Sequence, residues 1–270
     1  MPPYPNYHVG DYFEEFFFKK FVSEYPDLTI NGYKYLPIFW TNCYCNTNFA
    51  NQSYEIQNII NELDSSVKYF TISQHDDCIY EKIPFELKVF SMGGNMTGDN
   101  IYPIPLICSN IDYPKKEKDI YVSFIGSLTH DIRNKIVSKF SNNNNFYIKT
   151  KSWEIESGKN NIDLFLDVTS RSKFTLCPRG YGKTSFRLYE SMQLDSIPIY
   201  VYDEKWLPWS EDIDWDNLII SVHHSELDNL ELLINNVDYK KMINYKNDIY
   251  KHYFTYDGVY DNIIKKIIKW

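Results

Sequence analysis

A chain of 270 residues, 43% hydrophobic and 24% charged, has the length for one large or two modest domains and the balance of an ordinary globular protein. Its formal net charge of −8 excludes a general nucleic-acid binder, which needs a basic face, but leaves room for a local basic pocket. Five cysteines (Cys43, Cys45, Cys78, Cys108, Cys177) follow no framework spacing, and Cys43-Tyr44-Cys45 lacks the second pair of a zinc site, so reduced thiols are expected.

The opening Met1-Pro2-Pro3-Tyr4-Pro5 has no basic start and no apolar stretch, so a signal peptide is not expected. No run approaches the ~18 apolar residues of a membrane span, and a cytoplasmic location is the expectation. Leu36 to Trp40 reads as a buried strand ending in the polar Thr41-Asn42. Ile56, Ile59, Ile60 and Leu63 stand at i, i+3, i+4 and i+7, a helix with Asn51 or Ser53 as cap. Val67 to Ile72 and Leu87 to Phe90 are further strands, and the alternation argues for parallel α/β sheets.

Tyr113-Pro114-Lys115-Lys116-Glu117-Lys118 is charged, contains proline and lacks apolar periodicity, and reads as a linker. A second α/β series follows it. Ile120 to Ile125 is a strand, and Thr129 is placed to cap a helix with Ile132, Ile136, Val137 and Phe140 on its face. Phe146 to Ile148 is a strand and Leu164 to Val168 a short helix. Lys173 to Leu176 is a strand, Phe186, Leu188, Tyr189 and Met192 mark a helix, and Ile197 to Tyr202 and Leu218 to Ile220 are strands. From Ser225 the chain reads as helical. The last helix, with Ile263, Ile264, Ile267 and Ile268 between lysines, is expected to dock on the body rather than lie on a membrane. The expected division is 1–112, 119–254 and a C-terminal helix at 255–270.

The most informative stretch joins the Lys173–Leu176 strand to the following helix: Cys177-Pro178-Arg179-Gly180-Tyr181-Gly182-Lys183-Thr184-Ser185-Phe186-Arg187. A glycine-bearing loop there aims backbone N–H groups and the positive end of a helix at one point, and cations are concentrated at it. Such a constellation suits a diphosphate. Gly182-Lys183-Thr184 resembles the end of a Walker A loop, but Cys177 stands where that motif needs its first glycine. Gly180-Tyr181-Gly182 lacks the third glycine of a dinucleotide fingerprint.

The whole run, through Glu190, Ile197-Pro198-Ile199 and Trp206-Leu207-Pro208-Trp209, resembles the donor-binding signature of exostosin-family glycosyltransferases. Ser123-Phe124-Ile125-Gly126-Ser127 followed by Arg133 is similar to that family's strand, Gly-Ser turn and helix arginine. In the first half, Thr71 to Asp77, Gly93-Gly94-Asn95 and Ile104-Pro105-Leu106 are looser matches, so that the resemblance covers about residues 66–215. It implies a GT-B architecture of two Rossmann-like domains facing across a cleft, inversion at the anomeric carbon, and no obligatory metal or other cofactor. It also implies a compact stand-alone version, of the kind found in large DNA viruses and protists.

On that resemblance the nucleotide-sugar site comprises Ser127, Arg133, Arg179, Gly180, Tyr181, Gly182, Lys183, Thr184, Ser185, Arg187 and Glu190. Arg133, Arg179, Lys183 and Arg187 would meet leaving-group charge in place of a metal. Glu190 would accept from ribose hydroxyls, Thr184 and Ser185 would cap the helix or touch phosphate, and Tyr181 would stack on the base or sugar. Asp76-Asp77 and Asp212-Ile213-Asp214 are the nearest candidates for a metal-holding acid pair, and each is set aside. An inverting transfer needs one general base, and Asp77, then Asp76, then His75 are the candidates just beyond a strand's carboxyl end. His223-His224 are read as loop residues, and Trp206 and Trp209 as core. The donor expected is a UDP-pentose or UDP-uronic acid, and the acceptor a glycan hydroxyl. A non-catalytic nucleotide-sugar or glycan binder is the alternative, and a nucleotide-dependent kinase or NTPase a third reading.

Overall fold

The computed structural model describes residues 12–45, 49–151 and 159–270, apart from the side chains of 49–52 and 159–161. Met1 to Pro5, and Asn51 as a cap, lie outside the described residues and side chains. The chain forms two compact units, residues 1–107 with 252–270 and residues 108–251.

The first unit opens with α1 (Phe13–Glu24), an element the expectations lacked. Phe13, Phe17 and Phe21 recur every four residues and are fully buried. Phe17 and Phe21 meet Tyr35 and Phe70 edge-on, at centroid distances of 5.2–6.3 Å. Strands β1 (Thr29–Ile30) and β2 (Tyr33–Tyr35) form a hairpin across Asn31-Gly32, whose positive φ values of 47° and 77° are what a tight two-residue turn needs. The expected strand at Leu36 to Trp40 is instead a short extended link into helix α2 (Trp40–Cys45). A brief apolar run satisfies a buried helix start as well as a strand. Helix α3 (Phe49–Glu62) precedes β3 (Lys68–Ser73), β4 (Leu87–Ser91) and β5 (Ile101–Pro103). The sheet order is β1-β2-β3-β4-β5, parallel from β2 onward, with loops rather than helices joining β3 to β4 and β4 to β5.

The final helix, Tyr256–Ile268, belongs to this unit. Tyr260 packs on Phe17 and donates to Glu24, and Trp270 stacks on Phe90 at 5.4 Å. Its isoleucines Ile263 and Ile267 are fully buried. Among the described residues no helix is long and apolar enough to cross a membrane.

The second unit holds β6 (Ile120–Gly126), α4 (Asp131–Phe140), β7 (Phe146–Thr150), α5 (Lys159–Arg171), β8 (Ser172–Pro178), α6 (Phe186–Gln193), β9 (Ile197–Tyr202), β10 (Ile220–His223), α7 (Leu230–Asn235) and α8 (Tyr239–Tyr253). All its strand pairs are parallel, in the order β10-β9-β8-β6-β7. The cap of α4 is His130, whose Nδ1 accepts from Ile132 N, and not Thr129. Two α/β units built on mainly parallel sheets agree with the GT-B class that the resemblance implies.

The charged stretch before β6 is tied down rather than loose. Lys115 and Lys116 pair with Asp195 and Asp167, and Lys118 donates to the carbonyls of Ser170 and Leu194. Asp195 has a φ of +52°, a conformation that costs an ordinary side chain about 1–2 kcal/mol. Lys246 and Lys115 hold its carboxylate and Tyr239 donates to its carbonyl, so a position suited to glycine keeps an aspartate.

The α1 seam sets the first test. Phe17→Ala removes a ring with five aromatic neighbours and is expected to lower unfolding free energy by about 3–5 kcal/mol, read by chemical denaturation.

Candidate functional site

In the second unit the chain leaves β6 toward β7 on one side and β8 toward β9 on the other. Strands β6 and β8 are nevertheless neighbours, so the strand order reverses between their carboxyl ends. Open parallel sheets bind ligands at such a point, because diverging loops leave a crevice there. Gly126-Ser127 ends β6 at this place, and the Arg179–Ser185 loop follows β8 into α6. Gly180 N donates to Thr184 O at 3.1 Å and closes the loop, and Ser185 caps α6 by accepting from Arg187 N.

Two arginines cross beneath the loop. Arg133, 5% exposed, donates from Nε to Arg179 O at 2.9 Å, from Nη1 to Ser127 O at 2.9 Å and from Nη2 to Pro178 O at 3.4 Å. It thereby ties the turn after β6 to the turn after β8. Arg187 donates from Nε to Ile125 O at 2.7 Å and lies over the rings of Phe124 and Phe165. A Cβ on Gly126 would come within 2.7 Å of Arg187 Nη2, and one on Gly180 within 3.4 Å of Arg133 Nη2. The absence of those side chains is what lets two guanidinium groups lie so deep.

Burial, then the repulsion of Arg187, pushes the Arg133 guanidinium down to about 9, still charged at neutral pH. Burial also lowers Arg187, against the pull of Glu190 and Cys177. Among the described residues both arginines are held by carbonyl oxygens, with no carboxylate in ion-pair contact. Glu190 sits one turn along α6, and burial raises its carboxyl while Arg187 and Lys151 oppose the rise. The buried Thr184 hydroxyl has no hydrogen-bond partner among the described residues.

The other two cations of the loop are already paired, with residues absent from the sequence expectations. Arg179 Nη1 reaches both carboxylate oxygens of Asp203 at 2.9 Å, and its Nη2 donates to Tyr181 O at 2.8 Å. Lys183 Nζ pairs with Glu204. His130 Nε2 lies 3.9 Å from Asp203, and burial followed by Arg179 holds its imidazole below the ordinary value. Asp203 and Glu204 stand directly beyond β9, where a rule about strand carboxyl ends would have found them. Tyr181 projects outward, 63% exposed, and Gly182 is buried. His223 turns back on Ser225, while His224 Nδ1 lies 3.1 Å from Lys135 Nζ. Trp206 is buried in this unit, in keeping with a core role.

In the first unit the loop after β3 carries His75, Asp76 and Asp77. Asp77 accepts from Tyr80 Oη at 2.5 Å and from Asn95 Nδ2 at 2.8 Å. His75 Nδ1 accepts from Asp77 N at 3.3 Å, and burial lowers its imidazole. With Nδ1 accepting, Nε2 is the ring nitrogen left to donate. The loop backbone is pressed against Gly93, where a Cβ would fall 2.2 Å from Asp76 Cα, and Asn95 N donates to Asp76 O at 3.0 Å. A fully buried carboxylate, Glu14, lies under this loop and accepts from Gln74 N at 2.8 Å. No local signal marks it, since a lone acid in an aromatic helix reads as a solvated face. The five cysteines are free thiols.

With this geometry in place, comparison with known proteins locates the chain. The model of the Exostosin GT47 domain matches residues 97–237, which take in all the strands of the second unit. A probable glucuronosyltransferase of Oryza sativa subsp. japonica is 26% identical over 146 residues, which are 49% of this chain and 32% of that protein. A probable glucuronoxylan glucuronosyltransferase of Arabidopsis thaliana is 28% identical over 106 residues, 39% of this chain and 21% of its own length. The Exostosin-1 homolog of Caenorhabditis elegans is 38% identical over 56 residues, 21% of this chain and 15% of that one. The matched part of the chain spans about a third or less of these relatives.

Gly126→Ala tests the cradle. The added methyl group displaces the Arg187 guanidinium, and affinity for pyrophosphate, measured by titration calorimetry, is expected to fall by about tenfold, the size of one lost charge-assisted contact, while the fold is retained.

Proposed function

The chain belongs to the exostosin GT47 family, and we infer that it moves a sugar from a UDP-sugar onto a glycan hydroxyl, with inversion and without an obligatory metal. The observation that carries this reading is the pair of guanidinium groups at the start of α6, Arg133 buried and Arg187 half-buried, hydrogen-bonded to carbonyl oxygens and ion-paired with no carboxylate among the described residues. Glu190 offsets part of the Arg187 charge, Arg133 has no carboxylate acting on it, and a diphosphate supplies the negative charge still missing. The N-terminus of α6 adds the positive end of its dipole, and the Thr184 hydroxyl is available to a phosphate oxygen. Glu190 offers a carboxylate to the ribose hydroxyls. The names of the plant relatives favour a uronic acid as the transferred sugar, with xylose as the other candidate donor.

In this reading Asp77 is the base. It takes the proton from the acceptor hydroxyl as that oxygen attacks the anomeric carbon. The bond from the anomeric carbon to the phosphate oxygen breaks, and its electron pair leaves with UDP. Negative charge grows on the leaving diphosphate, and Arg187, Arg133 and the helix N-terminus stabilise it more in the transition state than before. The bonds from Tyr80 and Asn95 fix the orientation of Asp77, whereas His75 presents a proton.

Three measurements test the reading. UDP in the presence of EDTA is expected to raise the melting temperature, because it binds only the folded chain; stabilisation by ATP with magnesium in its place would overturn the donor assignment. Arg187→Ala is expected to weaken UDP binding by about 2 kcal/mol. Asp77→Asn is expected to bind UDP normally and lose about 10²- to 10⁴-fold in the rate of UDP release from a UDP-sugar. An unchanged rate would remove Asp77 from the chemistry.

A further inference from the structure

Glu14 is the most deeply buried carboxylate of the first unit, and no step described so far uses it. Its Oε1 accepts from Gln74 N at 2.8 Å, Thr41 Oγ1 at 2.9 Å and Thr41 N at 3.2 Å, and Oε2 shares the Thr41 N at 3.2 Å. Gln74 returns the contact, its Oε1 accepting from Phe13 N at 2.9 Å. The start of α1, the start of α2 and the carboxyl end of β3 are thus joined by one side chain. The next residues along the chain are His75, Asp76 and Asp77. An acid in a core site is replaceable by an apolar residue unless its hydrogen bonds set a geometry, and here they tie the start of α2, through Thr41, to the first residue of the loop after β3, Gln74.

We propose that Glu14 is a positioning residue, whose carboxylate holds the His75–Asp77 loop in register through Gln74 and thereby sets the orientation of Asp77. The proposal rests on the reading of Asp77 as the base. Its grip depends on charge, because hydrogen bonds to an ionised oxygen are roughly twice as strong as those to a neutral one. Burial is the largest influence on Glu14 and raises its carboxyl to about 7, against the lowering effect of the bonds from Gln74 and Thr41. The titratable groups that feel its charge are Tyr35, Cys43 and Cys78, none of them a cation. Because the folded value lies above the ordinary 4.5, the folded chain holds an extra proton between the two. The group's contribution to global stability therefore declines as pH rises through that window, whereas a local opening that breaks only the Gln74 bond and leaves Glu14 buried loses a contact that favours the carboxylate, so the hold on the loop tightens.

The test compares the full chain with Glu14→Gln by hydrogen exchange over residues 74–78 and 92–95, from pH 5.5 to 8.5, after correction for intrinsic rates. In the unaltered chain protection is expected to rise through about pH 7, and in Glu14→Gln to be lower and flat. Thr41→Val, which keeps the acid and removes one bond that lowers its pKa, is expected to move the midpoint upward. In parallel, release of UDP from UDP-glucuronic acid is expected to fall on the order of tenfold to a hundredfold in kcat for Glu14→Gln, with KM for the donor unchanged and the acid limb near pH 7 gone. Equal protection in both chains at every pH overturns the proposal. Exchange needs no turnover, so that outcome is separable from failure of Asp77→Asn to affect the rate, which would overturn the base assignment instead.

Discussion

Two positive charges buried within reach of each other are the constraint around which the second unit is arranged. Arg133 and Arg187 repel, and each loses hydration that protein must replace. The replacement comes from backbone: the carbonyls of Ile125, Ser127, Pro178 and Arg179 all turn toward the guanidinium groups. Those carbonyls are available only because the sheet order reverses between β6 and β8 and leaves two turns side by side. Carbonyl dipoles solvate a cation but do not cancel its charge. The arrangement keeps a standing attraction for an anion, a different design from Arg179 and Lys183, whose charges are already answered by Asp203 and Glu204.

That contrast divides the loop's cations by role. Arg179 and Lys183 were as conspicuous in the sequence as Arg187, yet in the folded chain they brace the loop against the end of β9. Pairing of that kind costs little where Glu204 remains exposed, and it fixes the loop before any ligand arrives. A donor phosphate approaching Arg179 would have to share it with Asp203. Approaching Arg187 or Arg133, it meets no ion-paired carboxylate among the described residues, although Glu190 lies within electrostatic reach of Arg187.

What was legible in the sequence was local. The strand–loop–helix run from Lys173 to Met192, its Ser185 cap and the Gly126-Ser127 turn could be read because every signal lies within a few residues of what it controls. The Leu36–Trp40 run was misread because five apolar residues carry no periodicity that separates strand from helix start. The Lys115–Lys118 stretch looked like a free linker because its partners, Asp167, Ser170, Leu194 and Asp195, lie more than fifty positions away. Separation along the chain also hid Glu14, whose partners Thr41 and Gln74 are 27 and 60 residues away. Asp195 shows the reverse case, a turn of positive φ that keeps an ordinary side chain through lysines the turn itself does not predict.

The two functional loops solve opposite electrostatic problems with the same resource. Around Arg133 and Arg187 the backbone offers oxygen to cations; around Glu14 it offers N–H groups to an anion. In each unit the buried charge lies next to the carboxyl end of a parallel strand, where ladder bonding has ended and backbone groups are free to turn. A glycine marks each close approach, Gly126 beside Arg187 and Gly93 beside Asp76. Charge buried on backbone dipoles holds a loop firmly without enlisting a second charged side chain. An ion pair in either place would give comparable order but would cancel the charge that the backbone groups here only solvate.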